Sequence, residues 1–198
     1  MPNWKGYVEI PSVRKLFVVP LAENNHGKSL IIRSLVRLAG ASVTGWKRQT
    51  MILTTFSGQR ISALVFPSSL SEMQHREPDK TRAENFLEEL DHSWWTYDLI
   101  ILPSHENLAD VDRLIKLGQR HGYDMVAVTI TKNEKAISAD HRDCLGRPWD
   151  ERWTLRNPRI IKFQVEQKKL GPLTARASMQ IDTLAGHLWT RIQRTMYS

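Results

Sequence analysis

Six consecutive residues have the types and the order of a phosphate-binding loop: Asn24, Asn25, His26, Gly27, Lys28 and Ser29. In the pattern G-x-x-x-x-G-K-[ST], backbone N–H groups surround phosphates, the lysine reaches the β- and γ-phosphate oxygens, and the hydroxyl binds Mg²⁺. Lys28 is therefore the candidate catalytic residue and Ser29 the candidate metal ligand. Ala22 stands where the pattern usually has its first glycine. The loop predicts binding of ATP, ahead of GTP, together with Mg²⁺.

The elements beside this loop are those that would hold a phosphate in place. The apolar run ending at Leu21 predicts a buried strand, and apolar residues at helical spacing after the loop predict a helix that stops at Gly40. The amino end of that helix would add its positive dipole to the site. The alternative is that Gly27 only makes a turn and that Lys28 is a solvated surface charge.

The rest of the chain predicts a three-layer α/β domain with a mostly parallel central sheet. Residues 1–137 form the predicted nucleotide-binding core, and residues 138–198 add a loop, a strand and a helix to the same domain. A buried strand, a helix and a second buried strand without a hairpin turn imply a parallel crossover. The predicted elements are a short strand or its approach at 41–46, a hairpin (50–56 and 60–66), a surface helix from about 79 to 92, strands at 97–102, 124–130 and 159–165, and helices at 106–120 and 173–195.

Composition narrows the class of protein. The chain has 198 residues and a single cysteine, Cys144, which excludes an internal disulfide and fits a reducing, cytoplasmic setting. No apolar run reaches the roughly 20 residues that a membrane-spanning helix needs. The formal charge of +7 favours a polyanionic partner such as nucleic acid, although a basic surface also serves solubility.

Positive charge is concentrated in the region of residues 132–169, and within it residues 138–158, which have no clear periodicity, are interpreted as a long loop. Two tryptophans lie among its basic residues, a mixture suited to phosphates and bases. The candidates for nucleic-acid contacts or for a lid over a phosphate are Arg147, Arg152, Arg156 and Arg159.

The acidic residue that usually holds Mg²⁺ near such a loop cannot be located from the sequence. The strands that should deliver it end in Pro67 and Pro103. A carboxylate from elsewhere is one solution, and Asp98, Glu106 and Glu72 are the candidates; binding of nucleotide with poor hydrolysis is the other.

The residues from Glu23 to Ser29 resemble the deviant loop of the ParA/MinD-like ATPases, with Gly27, Lys28 and Ser29 matching. The stretch 97–133, in which a strand ends in proline and a helix crosses to the next strand, is also similar. Glu23 replaces the signature lysine of the family, and Phe66 stands where the resemblance places its acidic residue. The resemblance implies a nucleotide-dependent switch or weak ATPase that acts with nucleic acid, a protein partner or a second copy in a DNA-handling assembly.

Two other interpretations stay open at this point. Residues 97–130 also resemble small P-loop kinases, which would make the arginine-rich loop a lid that neutralises a transferring phosphate. The third interpretation is a degenerate scaffold that binds partners without using nucleotide.

Overall fold

One six-stranded sheet organises the described part of the chain, in the order β2-β3-β4-β1-β5-β6. The computed structural model describes residues 13–21, 27–45, 48–69, 87, 92–104, 108–132, 159–165 and 175–198. Five strands are parallel, and only β2 runs antiparallel to its neighbour. The strands are β1 (Leu16–Leu21), β2 (Gln49–Thr54), β3 (Arg60–Val65), β4 (Leu99–Ile101), β5 (Asp124–Lys132) and β6 (Arg159–Val165).

Strand β1 lies in the middle of the sheet, between β4 and β5. All six of its residues are buried, as expected for a parallel strand that is covered on both faces. Three helices are described: α1 (Lys28–Leu38), α2 (Leu108–Arg120) and α3 (Ala175–Met196).

Two hydrophobic clusters cover the opposite faces of the sheet, and successive residues of β1 alternate between them. Leu16 and Val18 join the cluster that contains α1 and α3, whereas Phe17 and Val19 join the cluster that contains α2. The domain therefore has three layers, with α1 and α3 on one side of the sheet and α2 on the other. Each outer layer contains a fully buried tryptophan, Trp189 in the first and Trp94 in the second.

Aromatic side chains close the sheet at the amino end of β1. Trp94 stacks on Tyr123 at 6.0 Å between ring centroids and meets His121 edge-on at 4.6 Å. The Tyr123 hydroxyl donates to the Tyr97 carbonyl oxygen at 2.7 Å. Burial, and secondarily the charge of Asp98, raise the pKa of this hydroxyl well above its usual value of about 10.

The α/β class and the mostly parallel sheet are confirmed, as are the hairpin of β2 and β3 and the stop of α1 near Gly40, which has φ 79°. Residues 41–45, predicted as a short strand or its approach, contain no strand. Most of the predicted surface helix at 79–92 and the arginine-rich loop lie outside the described residues. Within the described part, no helix is both long and apolar enough to cross a membrane.

A crevice beside the amino end of α1

The chain leaves β1 and β4 toward opposite faces of the sheet. These two strands are neighbours, but α1 follows β1 in one outer layer, and α2 follows β4 in the other. In open α/β sheets, such a divergence leaves a crevice at the carboxyl ends of the two strands, and ligands bind there. In the sequence, the segment predicted to bind phosphate, Asn24 to Ser29, follows shortly after Leu21, the last residue of β1.

Gly27 forms the last turn before α1. Its backbone is left-handed, with φ 84° and ψ 10°, a conformation that strongly favours glycine. The first intrahelical bond runs from the Ile31 N–H to the Gly27 carbonyl oxygen at 2.9 Å. No side chain caps the helix at Gly27, and its first turn contains no acidic residue. The positive end of the α1 dipole therefore lies at Gly27 with no acidic side chain in the first turn to offset it.

Lys28 is buried, with only 6% of its surface exposed. This burial excludes the alternative in which Lys28 is a solvated surface charge. An ammonium group loses hydration when it is buried, and the positive end of a helix dipole adds repulsion. Ser29, next along the chain, is half-buried.

Ser104 lies against the last residue of β1 and was missed by sequence reasoning. A parallel bridge joins it to Leu21, and its N–H donates to the Pro20 carbonyl oxygen at 3.0 Å. Ser104 is 1% exposed. In the sequence it follows Pro103 and resembles the polar end of a strand, so no local signal identified it as a wall of the crevice.

Asp98 lies at the other end of the sheet. Its carbonyl oxygen accepts from the Leu16 N–H at the start of β1, and its carboxylate accepts from the N–H and hydroxyl of Ser62 at 2.9 and 2.6 Å. The length of β1, about 17 Å for six residues, separates Asp98 from the start of α1. Asp98 therefore cannot share a cation with Ser29, and the proposal that it supplies the missing acid is wrong.

The order of the strands also changes which strand is relevant to the metal. The resemblance assigned the acidic position to the end of the strand at residues 61–66, but β4 lies between that strand and β1. The residues that follow β4, Leu102 to Ser104, therefore lie directly beside β1. No group of three or more His, Cys, Asp or Glu side chains that could hold a metal occurs among the described residues.

The remaining predicted site residues cannot be located beside the crevice. Asn24, Asn25 and His26 lie outside the described residues, as do Glu72 and Glu106. The same holds for Arg147, Arg152 and Arg156. Arg159 begins β6, where only the backbone is described, at the far edge of the sheet from β2.

A groove of about 340 Å³ runs along α1, away from its amino end. At this groove, the Asp182 side chain of α3 forms hydrogen bonds with two side chains of α1. One of its carboxylate oxygens accepts from the Ser34 hydroxyl at 2.5 Å and from the Arg37 guanidinium at 2.7 Å. This contact fixes α1 to α3.

The comparisons with known proteins give no further guide to the site. No protein-family model matches the chain, and no curated protein sequence matches it significantly.

Proposed function

We propose that the chain binds ATP with Mg²⁺ at the amino end of α1 and acts as a nucleotide-dependent switch or weak ATPase. The observation that carries this proposal is the burial of Lys28 directly after the left-handed Gly27, at the start of a helix that follows the central strand. The proposed role of Lys28 is to bind a phosphate of the nucleotide together with the first N–H groups of α1.

The crevice supports the same proposal independently of the loop pattern. It lies where β1 and β4 diverge, which is the usual ligand position in an open α/β sheet. The hydroxyl group of Ser29 is the proposed ligand of a hydrated Mg²⁺.

The net charge of +7 favours nucleic acid as the partner of the switch. In this proposal, ATP binding changes the affinity of the protein for DNA. Equal DNA affinity with and without ATP would rule out the switch while leaving nucleotide binding intact.

Calorimetry with ATP and GTP in the presence of Mg²⁺ tests the first step. Lys28→Ala should weaken binding about 10- to 100-fold, because a hydrogen bond to a charged group contributes about 1.5–3 kcal/mol. Lys116→Ala, which removes an exposed lysine from α2, is the matched control. Asp98→Asn should also leave the affinity unchanged, because Asp98 lies at the amino end of β1, whereas α1 follows its carboxyl end. Absence of binding by the wild type, or equal binding by Lys28→Ala, would overturn the proposal.

A further inference from the structure

The turn between β2 and β3 presents an aromatic ring to solvent. Phe56 lies in this turn and is 67% exposed. Thr55 holds the turn: its carbonyl oxygen accepts from the Gly58 N–H at 3.0 Å, and its hydroxyl oxygen accepts from the Gln59 N–H at 2.9 Å. Because these bonds do not involve the Phe56 side chain, the ring can contact another molecule without disturbing the turn.

Phe56 lies beside the carboxyl-terminal part of α3. Its N–H donates to Gln193 Oε1 at 2.9 Å, which fixes the turn to the helix. Arg194 is the next residue of α3, and both Arg191 and Arg194 are exposed. Residues three apart on a helix have Cβ atoms about 5–6 Å apart, so the two guanidinium groups can reach the same phosphate or successive phosphates. We call Phe56, Arg191 and Arg194 the Phe56 surface.

The charge around the Phe56 surface is positive. Residues 183–198 contain no Asp or Glu. Helices α1 and α3 together contain six lysines and arginines and one acidic residue, whereas α2 contains three and two. Two carboxylates at the same edge of the sheet are already bound: Asp98 accepts from Ser62, and Asp124 pairs with Arg14 at 3.8 Å. This distribution favours an anionic ligand.

Positive charge beside an exposed ring matches single-stranded nucleic acid. Every base has a face that can stack on an aromatic side chain, while arginines bind the backbone phosphates. In a duplex the bases are already stacked and paired with each other, so Phe56 would have no base to contact. The ring therefore favours a single strand over a duplex.

A membrane surface matches these residues less well. Peripheral helices bind membranes through an apolar face that is directed outward. The large apolar residues in this part of α3 are all buried: Leu188, Trp189, Ile192 and Met196. The helix thus directs its polar side to solvent.

We propose that Phe56 stacks on a base of single-stranded DNA and that Arg191 and Arg194 bind its phosphates. The inference takes DNA as the partner from the proposed function, but it does not require ATP. The turn precedes β3 and therefore lies at the amino edge of the parallel strands, whereas the crevice lies at their carboxyl edge. The two sites are thus on opposite edges of the sheet.

Fluorescence anisotropy with a labelled oligothymidylate, which forms no duplex, tests the stacking. Without nucleotide, Phe56→Ala should weaken binding about 5- to 150-fold, the range expected for the loss of one stacked base. Phe56→Tyr keeps a ring and should bind nearly as tightly as the wild type. Ile52→Ala, which removes another exposed apolar side chain from the same hairpin, should leave the affinity unchanged. No binding by the wild type, or equal binding by Phe56→Ala, would overturn the proposal.

The salt dependence of binding tests the arginines. The double variant Arg191→Ala with Arg194→Ala should reduce the slope of log affinity against log salt concentration by about 1.4, because each phosphate contact of a single strand contributes about 0.7. Phe56→Ala should leave this slope unchanged, because the ring carries no charge. Arg113→Ala with Lys116→Ala, which removes two exposed charges from α2, is the matched control and should leave the slope nearly unchanged. An unchanged slope in the α3 double variant would contradict the assigned phosphate contacts.

Other ligands and one variant separate this proposal from its alternatives. Tighter binding to duplex DNA, to an oligouridylate or to vesicles of anionic lipid than to the oligothymidylate would overturn it. Lys28→Ala tests the nucleotide site and should leave oligothymidylate binding without nucleotide unchanged. If ATP does not bind while Phe56→Ala still weakens oligothymidylate binding, the proposed function fails and this inference stands. ATP binding with no effect of Phe56→Ala on the oligothymidylate would be the reverse.

Discussion

The carbonyl group of Leu102 lies at the position in the β1–β4 ladder where residue 20 would donate a hydrogen bond, and residue 20 is proline. The Leu102 N–H donates to the Val18 carbonyl oxygen, and the Ser104 N–H donates to the Pro20 carbonyl oxygen. The ladder position between these two bonds would be filled by a hydrogen bond from the residue 20 N–H to the Leu102 carbonyl oxygen. That bond cannot form, because proline has no N–H. This explains why β4 ends at Ile101, although the chain still reaches the bridge between Leu21 and Ser104.

Pro20→Val should restore the missing bond and stabilise the protein by about 1 kcal/mol. Satisfying a buried carbonyl group contributes about 1–3 kcal/mol, and the greater freedom of the unfolded chain removes about 0.4–1 kcal/mol of that. Urea denaturation measures the change, and hydrogen exchange should show a protected amide at residue 20. A valine amide that exchanges rapidly would contradict the assigned ladder.

Gly118→Ala should destabilise the protein by about 1–3 kcal/mol, the usual cost of overpacking a core. A Cβ atom at this position would overlap Met125 Sδ and lie 2.8 Å from Phe17 Cδ1. Gly186→Ala in α3 is the matched control, because its nearest atom, Leu38 Cδ1, is 4.0 Å away. It should instead stabilise the protein by about 0.5–1 kcal/mol, the usual gain from replacing a helical glycine. Thermal denaturation of both variants should give shifts of opposite sign.

The Asp182 carboxylate should couple more strongly to Ser34 than to Arg37. The Ser34 residue is 5% exposed, so removing its acceptor leaves a buried hydroxyl group unsatisfied, at a cost of about 1–3 kcal/mol. The side chains of Arg37 and Asp182 are 67% and 41% exposed, and solvent screening limits such a pair to about 0–1 kcal/mol. Two double-mutant cycles, Ser34→Ala with Asp182→Ala and Arg37→Ala with Asp182→Ala, measure the two coupling energies. A larger value for the arginine cycle would contradict this assignment.

Stability should fall as the pH rises above about 10, in part because of Tyr123. Its folded-state pKa is raised above the unfolded value of about 10. Above that pH the unfolded chain loses this proton while the folded protein keeps it, so the free energy of unfolding decreases with a slope of up to about 1.4 kcal/mol per pH unit. Denaturation at a series of alkaline pH values should show a shallower fall for Tyr123→Phe than for the wild type.

Tyr197→Phe is the control for this titration. Burial, with a further contribution from Asp98, also raises the pKa of Tyr197, but Tyr197 is less buried. Tyr197→Phe should therefore change the alkaline pH dependence of the free energy of unfolding less than Tyr123→Phe does. Equal slopes for the wild type and Tyr123→Phe would mean that Tyr123 does not control this transition.

The elements could be predicted from the sequence wherever burial leaves a local pattern. Strand β1 is an uninterrupted apolar run because both of its faces are covered, and Gly27 and Gly40 mark the ends of α1. The pairing of strands leaves no such pattern. Asp98 precedes β4 as a polar strand entry would, but its partner Ser62 is 36 residues away in sequence, and the adjacency of β4 and β1 depends on the whole sheet.

The loop of the candidate site is a local sequence pattern, whereas the residues beside it depend on which strands pair. Gly27, Lys28 and Ser29 form a motif whose spacing is local. Ser104 reaches the crevice only because β4 pairs with β1, and a serine after a proline has no distinctive sequence signal. The burial of Lys28 likewise depends on tertiary packing, so the sequence left the solvated alternative open.

Trp94 and Trp189 are fluorescent probes of different outer layers. The two indoles are fully buried on opposite sides of the sheet, so the fluorescence of one reports the solvation of the α2 layer and that of the other the solvation of the α1–α3 layer. A chain that keeps only one of the seven tryptophans, either Trp94 or Trp189, would reveal whether the two hydrophobic layers melt together or in sequence. Unequal melting would mean that one face of the sheet loses its cover before the other.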